Sequence, residues 1–470
     1  MDRRFEPRRE ALLDECQVSP YVFRGMLDRL ENFVEPFASI LWRSEQSEHA
    51  LNYVSGLISD LKRKNSEAIA YRNDQDRRRL QHFIGESQWD HEPLMMELAR
   101  QVGEELGEED GVISFDPSAF AKKGSESVGT QRQWCGRLGK IENCQVGVYM
   151  GYASSKGHVL VDTRLYLPKE WAKNRARRKK SKVPKRIRFQ TRHQLSLEML
   201  DAKGTILPHA WITGDDEMGR SSAFRRDLRQ RKEAYMLAVP SNALVRDLEV
   251  EAPSYSGKGR KPVTPFVRVD RWQKAQPKNA WTRIDVRDGE KGPIVVDVLK
   301  CRVVAKTDRR RIGPEETLVV VRSLDEQRKE KLDYYLSWSH EETSLQEYGR
   351  VCTAHHRVEE CIKWGKSEAG LADYQVRNWH AWHHHQTLSL IACWFLVHET
   401  RRGKKITPAM TVPQIREGIA ALLHAACQPD SPARIARERT RRLERNQLAR
   451  YYYWKTRNRL PPLNLEKRQI

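Results

Sequence analysis

Three carboxylates in this chain are of the type and setting that phosphodiester chemistry requires: Asp116, Asp215 and Glu359. Cleaving a phosphodiester near neutral pH needs a nucleophilic oxygen and a means of absorbing charge on the leaving oxygen. Two hard divalent cations roughly 3.5–4 Å apart provide both, and carboxylate oxygens are suitable ligands for them. Asp116 closes the apolar run GVISFD and Asp215 closes PHAWITGD, so each reads as an acid at the C-terminal end of a strand. If the two strands are neighbours their side chains converge, and a helix across the same edge would present Glu359 as a third ligand. Taken alone, an Asp in such a place is more often a turn or cap residue. Only the set speaks for chemistry.

The elements that must position these acids follow from patterning. Residues 1–105 read as a helical domain, with Phe23, Met26, Leu27, Leu30 and Phe33, and later Tyr53, Leu57, Ile58 and Leu61, at three- and four-residue spacing. Basic clusters at Lys62–Lys64 and Arg77–Arg79 suit a duplex backbone, or simply a solvated helical face. From 106 to 240 the texture is α/β: GVISFD, a hairpin of NCQVGVYMGY and GHVLVDTRLYL, a helix over 188–202, PHAWITGD, a helix over 221–232 and the strand AYMLAV. Strand, hairpin, helix, strand, helix, strand is the order of an RNase H-like α/β core. Residues 241–340 read as a β-rich insertion with four strand-like runs, FVRVDRW, WTRIDV, PIVVDVLKCRVVAK and ETLVVVRS. Helix returns over 341–400 with Glu359, and 401–470 forms a basic, helical C-terminal tail ending near Tyr451–Trp454.

Composition narrows the partners. Among 470 residues, 84 Lys and Arg face 63 Asp and Glu, a formal charge of +21. Such an excess bears on partners rather than on fold, and each Lys or Arg that meets a phosphate releases a condensed counterion. No run of 18 apolar residues is present and the basic stretches lack an apolar face, which argues against a membrane. The N-terminal stretch has no apolar signal core, so a cytoplasmic, nucleoid-associated protein is expected. The eight cysteines never form CxxC, which argues against a zinc ribbon and a secreted disulfide scaffold and predicts reduced, mostly buried thiols.

The segment around Asp116 resembles the first catalytic block of bacterial insertion-sequence DDE transposases, on Asp116, Ser118, Lys122, Lys123, Gly124, Ser127, Val128, Gly129, Gln133, Trp134, Gly136, Asn143, Cys144 and Gln145. WITGDDEMGRSS resembles the family's acid-x-x-x-Gly turn, which selects Asp215, four before Gly219, over Asp216. HRVEECIKWGK resembles its Glu-bearing helix, where a Lys six residues on selects Glu359 with Lys366 over Glu360. The likeness spans about 105–240 and 341–400. It implies cut-and-paste transposition with two Mg²⁺ or Mn²⁺ ions held by Asp116, Asp215 and Glu359, on double-stranded transposon ends and target, by a homodimer on DNA. Two departures stand out. Cys352 and His355 occupy the places of a Tyr and an Arg before the Glu, with Arg357 as the substitute phosphate clamp, and Pro117 replaces a second acid.

Other residues carry weaker signals. Lys173 to Arg192 holds eleven Lys and Arg and no acid, so Arg178, Lys179 and Lys180, with Lys122, Lys123, Arg357 and Lys366, are the expected phosphate contacts. His383, His384 and His385 point in different directions on a helix and read as partly exposed histidines rather than a metal site. Trp134 and Trp364 read as core residues before base-stacking ones. Two other classes remain open: a catalytically silent DNA-binding relative acting as regulator or adaptor, and a metal-dependent nuclease that cuts without joining.

Overall fold

Apolar residues at helical spacing build the first hundred residues into a bundle. In the computed structural model, which describes residues 14–426 apart from 256, 258, 260, 290, 291, 308, 310 and 325–329, together with 436, 440, 443, 444 and 447, these are five helices. They are α1 (Met26–Ala38), α2 (Ser44–Ile58), α3 (Ser66–Arg72), α4 (Arg77–Gly85) and α5 (Glu92–Leu106). α1 buries Met26, Leu30, Val34 and Phe37 along one stripe. Asn65 and Asp76 cap α3 and α4 by accepting the amides of Ala68 and Arg78. Lys64, expected as part of a basic surface cluster, is instead buried: its ammonium donates to the Glu368 carbonyl at 2.9 Å, and burial lowers its pKa to about 8.

The sheet then assembles from β1 (Val112–Ala121), β2 (Gln131–Cys135), β3 (Lys140–Ser154) and β4 (Gly157–Leu165). Two short basic-flanked helices come next, α6 (Lys169–Lys173) and α7 (Arg175–Lys180), then α8 (Arg192–Lys203), β5 (Trp211–Gly214), α9 (Asp216–Arg220), α10 (Ser222–Gln230) and β6 (Tyr235–Val239). β3 runs antiparallel to β1 and to β4, whereas β5 lies parallel to β1 and β6 parallel to β5. A reciprocal capping box between Thr191 and Gln194 starts α8 at Arg192, inside the stretch 188–202 expected as helix.

Residues 241–340 supply β7 (Leu244–Asp247), β8 (Val267–Arg268), β9 (Thr282–Gly289), β10 (Gly292–Lys306), β11 (Ile312–Leu324) and β12 (Glu330–Trp338). They extend the same sheet, because β12 pairs antiparallel with β6 from Tyr334↔Val239 to Trp338↔Tyr235. The run FVRVDRW, expected as a strand, keeps only the two-residue β8. It then turns into α11 (Val269–Lys274), where Trp272 is buried and donates to Asp247 at 2.8 Å. A buried cluster ties this region back: Arg225 of α10 and Tyr235 of β6 both donate to Glu316 Oε1 of β11, at 2.8 and 2.5 Å.

Two long helices close the structure, α12 (Leu345–Ser367) and α13 (Trp379–Lys404), with α14 (Val412–Ala426) after them. α13 is buried nearly all round between β4 and the N-terminal helices, so it lacks the one-sided pattern of a surface helix. His383, His384 and His385 are therefore buried, not partly exposed: each ring bonds a carbonyl or hydroxyl, among them Trp379 O, Ile84 O, Trp89 O and Tyr53 OH. Six of the described cysteines are buried and free, and Cys16 is exposed. Among the described residues no helix is long and apolar enough to cross a membrane. The arginines from Arg434 to Arg445, the Tyr451–Trp454 stretch, Cys427 and the first thirteen residues lie outside the described residues.

Candidate active site

Asp116 is not at the end of its strand. β1 continues to Ala121 because β3 stays paired with it as far as Ala121↔Cys144. What ends at Phe115↔Gly214 is the pairing with β5, so Asp116 is the first residue of β1 beyond its parallel neighbour. Asp215 is likewise the first residue beyond β5. Adjacent strands lie about 5 Å apart, so the two carboxylates leave the sheet side by side.

Asp215 is fixed by the helix it starts. It is the N-cap of α9, its Oδ1 accepting the Met218 amide at 3.0 Å. Gly219 lets that helix lie on β6, since a Cβ there would stand 1.9 Å from the Ala238 carbonyl oxygen. The neighbouring Asp216 is exposed and pairs with Arg220 at 2.7 Å.

Glu359 arrives on α12. Gly151 in β3 allows the approach, because a Cβ there would meet Val358 Cγ2 at 2.7 Å. Glu360 points to β4, where it pairs with His158 at 3.2 Å. Glu359 is exposed and acts on Asp116, so the structure separates the two adjacent glutamates.

The electrostatics tie the three acids together. Burial, then the negative charges of Asp215 and Glu359, push the Asp116 carboxyl well above the usual carboxylate range, with Lys366 pulling the other way. Asp215 is pushed up to about 7, chiefly by burial, against the Met218 amide that favours its ionised form. Lys366 donates to Ser118 Oγ at 2.7 Å and lies 5.1 Å from the centre of the Phe120 ring.

The remaining expected contacts divide. Lys123 and Lys179 are exposed, and Lys180 is exposed and paired with Glu126. Lys122 is tucked over the Tyr374 ring at 3.4 Å, with burial lowering its pKa to about 8. Arg178 donates to the carbonyls of Pro184 and Ile187 at 2.9 Å and so shapes the basic loop from within. Arg357 donates to the Ser154 carbonyl at 2.6 Å, a bond that ties α12 to the β3–β4 turn. His355 and Cys352 are buried, Cys352 lying 3.2 Å from the Tyr335 hydroxyl, so neither takes the place of a phosphate clamp. Trp364 is partly buried and stacks on His158, whereas Trp134, expected in the core, is 58% exposed on β2.

Sequence reasoning missed a pair beside the acids. Glu217 of α9 raises the pKa of both Asp116 and Asp215, and Arg192 at the start of α8 lowers that of Asp215. Arg192 pairs with Glu217 at 2.5 Å and also donates to Gln133 Oε1 at 3.2 Å. The Thr191–Gln194 cap was the available signal, because it fixes Arg192 in the first helical turn.

A crowd of carboxylates whose charges oppose one another is the donor chemistry of a hard divalent cation, and neutralisation by one would relieve the repulsion on Asp116. In kind the residues fit. Among the described residues no three His, Cys, Asp or Glu side chains stand close enough to cage an ion as they are, so closing on one requires them to draw together.

Over 113 residues the chain is 37% identical to the "Probable transposase for insertion sequence element IS701" of Microchaete diplosiphon, a stretch covering 23% of this chain and 29% of that protein. The chain thus matches under a third of that curated relative's length. Residues 36–293 match the family described as DDE superfamily endonuclease, whose members usually work with divalent metal ions. That match takes in more than half of the 470 residues, Asp116 and Asp215 included, and the chain belongs to the DDE superfamily of endonucleases.

Proposed function

We propose that this protein is the DNA transposase of an insertion sequence, cutting DNA strands at the element's ends and joining them to a target. The reading rests above all on one observation: Asp116 and Asp215 stand at the same level, each just past the last pair that joins the parallel strands β1 and β5, while the charge of Glu359 bears on Asp116. The order β4-β3-β1-β5-β6, with β3 alone running against the rest, supports an RNase H-like core. In this reading that core spans 106–240 and 341–400 and is interrupted by residues 241–340. The helical domain of residues 1–105 and the basic tail of 401–470 serve DNA binding.

Asp116 and Asp215 would hold two Mg²⁺ or Mn²⁺ ions and Glu359 would complete the shell of one. Such ions, when bound, activate the attacking oxygen and absorb charge on the leaving oxygen. The chain's own residues do the rest. The Met218 amide keeps Asp215 aimed outward from the sheet. Lys366, anchored beside Asp116, places a positive charge where a non-bridging phosphate oxygen would lie. Lys123, Lys179 and Lys180 contact the backbone without reading sequence, while Lys122, Arg178 and Arg357 brace the loops and helix behind them. Water attacks in the cutting step and a freed 3′ hydroxyl in the joining step. Both are in-line displacements at phosphorus, so one arrangement serves both and no covalent protein–DNA intermediate forms. Two ends must be held at once, which calls for a homodimer on DNA in the bacterial nucleoid.

The test is incubation with the DNA flanking the protein's own gene and Mn²⁺ or Mg²⁺, mapping cuts on both strands, then strand transfer from pre-cut ends. Asp116→Ala, Asp215→Ala and Glu359→Ala are expected to bind DNA without cutting it. Binding with no nicking by wild type would make the chain a silent relative, and nicking with no joined product would make it a plain nuclease.

A further inference from the structure

A cavity of about 790 Å³ opens where β6 ends, walled on one side by Gly219 and Arg220 of α9 and on the other by β7, β8 and the end of β10. Its size falls within the roughly 300–1,000 Å³ of ligand sites. Its walls are basic: Arg220, Arg225, Arg268 and Lys306 line it, and none of the lining residues described is acidic. Strand register explains why these cations gather. β10 pairs with β7 through Ala305↔Val245, and β7 pairs with β8 through Leu244↔Arg268. Lys306 and Arg268 therefore arrive at one level on either side of Leu244, on one face of the sheet, with Arg246 two residues along β7 on that same face.

The cations are not equally committed. Arg225 is buried, bound to Glu316 and to the Gly219 carbonyl. Arg220 is exposed and Arg268 is half-exposed, and their pairs with Asp216 and Asp270 are near-surface pairs that a phosphate can replace. Arg246 and Lys306 make no ion pair with an acid among the described residues. Both instead lie against the Phe266 ring, at 4.4 and 4.9 Å from its centre, and Arg246 Nε is buried with no hydrogen-bond partner. Two like charges held on one aromatic ring are a ready anion site. With that ring already covered, recognition runs through charge rather than base stacking.

We propose that this cavity holds the phosphodiester backbone of the DNA strand that leaves the acidic site across α9. The proposal rests on the transposase reading for the presence of DNA at Asp215. α9 has five residues and so spans about 7.5 Å. That is roughly two base-pair rises along a duplex axis, at about 3.4 Å each. A strand engaged at Asp215, the N-cap of α9, therefore brings its next phosphates to Arg220 and into the basic walls beyond.

The experiment measures binding of labelled duplex DNA from the element's end by fluorescence anisotropy over a range of salt. The full chain is compared with Arg268→Ala/Lys306→Ala and with the charge-keeping Arg268→Lys/Lys306→Arg, each checked by thermal melting. The alanine pair is expected to bind at least about tenfold more weakly at low salt. Its log–log salt slope should be shallower by about 1.8, some 0.9 for each phosphate no longer neutralised. The charge-keeping pair should restore both. An unchanged slope in the alanine pair, or an equal defect in the charge-keeping pair, overturns the cavity site. Inorganic pyrophosphate at matched ionic strength should leave DNA binding unchanged, and displacement that depends on Arg268 and Lys306 would assign the cavity to a small free anion instead. Wild type that nicks DNA while the alanine pair keeps the full slope sinks the cavity alone. Wild type that binds with the expected slope difference but never nicks sinks the enzymatic reading alone. Absence of salt-sensitive binding sinks both.

Discussion

Lys366 reaches from α12 to give a 2.7 Å hydrogen bond to the Ser118 hydroxyl, two residues along β1 from Asp116 and on the same face of that strand. The bond parks a positive charge beside the acids. Lys366→Met is therefore expected to lower the nicking rate by roughly 10–100-fold, the range for losing a charged hydrogen bond. Because Lys366 draws the Asp116 pKa down, its removal should also move the acid limb of the pH–rate profile to higher pH. A lower rate with an unmoved profile would reduce Lys366 to a structural prop.

Asp215 gives the metal-free protein a pH signature. Burial pushes its carboxyl up to about 7 in the folded chain, from an ordinary 3.8. The unfolded chain thus releases its proton first, and stability held below pH 4 is lost as pH rises toward 7, by at most about 4 kcal/mol. In EDTA at pH 8, Asp215→Asn should melt higher than wild type, with the gap closing by pH 4. Mg²⁺ should raise the wild-type melting temperature more at pH 8 than at pH 6. A variant that melts lower than wild type at every pH would contradict this.

The buried histidines act at the other end of the scale. Burial holds His383 and His385 at about 3 and His384 at about 4, below the ordinary 6.5. As pH falls below 6.5 the unfolded chain takes up protons that the folded one refuses. Each ring then costs about 2 kcal/mol of stability at pH 5. Urea unfolding at pH 7.5, 6.0 and 5.0 should show the midpoint dropping steadily, whether or not metal is present.

Gly219→Ala should uncouple α9 from β6. Its methyl group would stand 1.9 Å from the Ala238 carbonyl oxygen, so helix or strand must shift. Overpacking of this kind destabilises by roughly 1–3 kcal/mol. Because α9 carries the Asp215 cap, nicking should fall well beyond what the stability loss explains, in parallel assays of melting and cleavage at a temperature where the variant is folded. Equal loss in the two would make Gly219 a packing residue only.

Much of the core was legible because its signals are local. Runs of apolar residues mark β1, β3, β4, β5 and β6, and an acid-x-x-x-Gly spacing marks the turn that caps α9. Asp116 read as a strand end because the sequence turns polar after it. The strand runs on because β3 holds its other edge, a nonlocal fact. His383–His385 read as exposed because adjacent polar residues usually are. Burial on all sides of α13 depends on a segment some three hundred residues earlier, where the carbonyls of Ile84 in α4 and of Trp89 in the loop after it bond His384. Val-Arg-Val before Trp272 read as strand, but tertiary contact with Asp247 favoured a helix. The Thr191–Gln194 cap could place Arg192 in a first helical turn, but its partner Glu217, 25 residues on, becomes significant only when α8 and α9 meet.

The unbroken pairing of β6 with β12 has a mechanical consequence. Backbone hydrogen bonds run without a gap from the strand beside Asp215 outward through β11 and β10. A stiff plate of this kind moves as one piece. Torque applied at its far rim, for instance by bending a bound duplex, is transmitted to the carboxylates instead of being absorbed at a hinge.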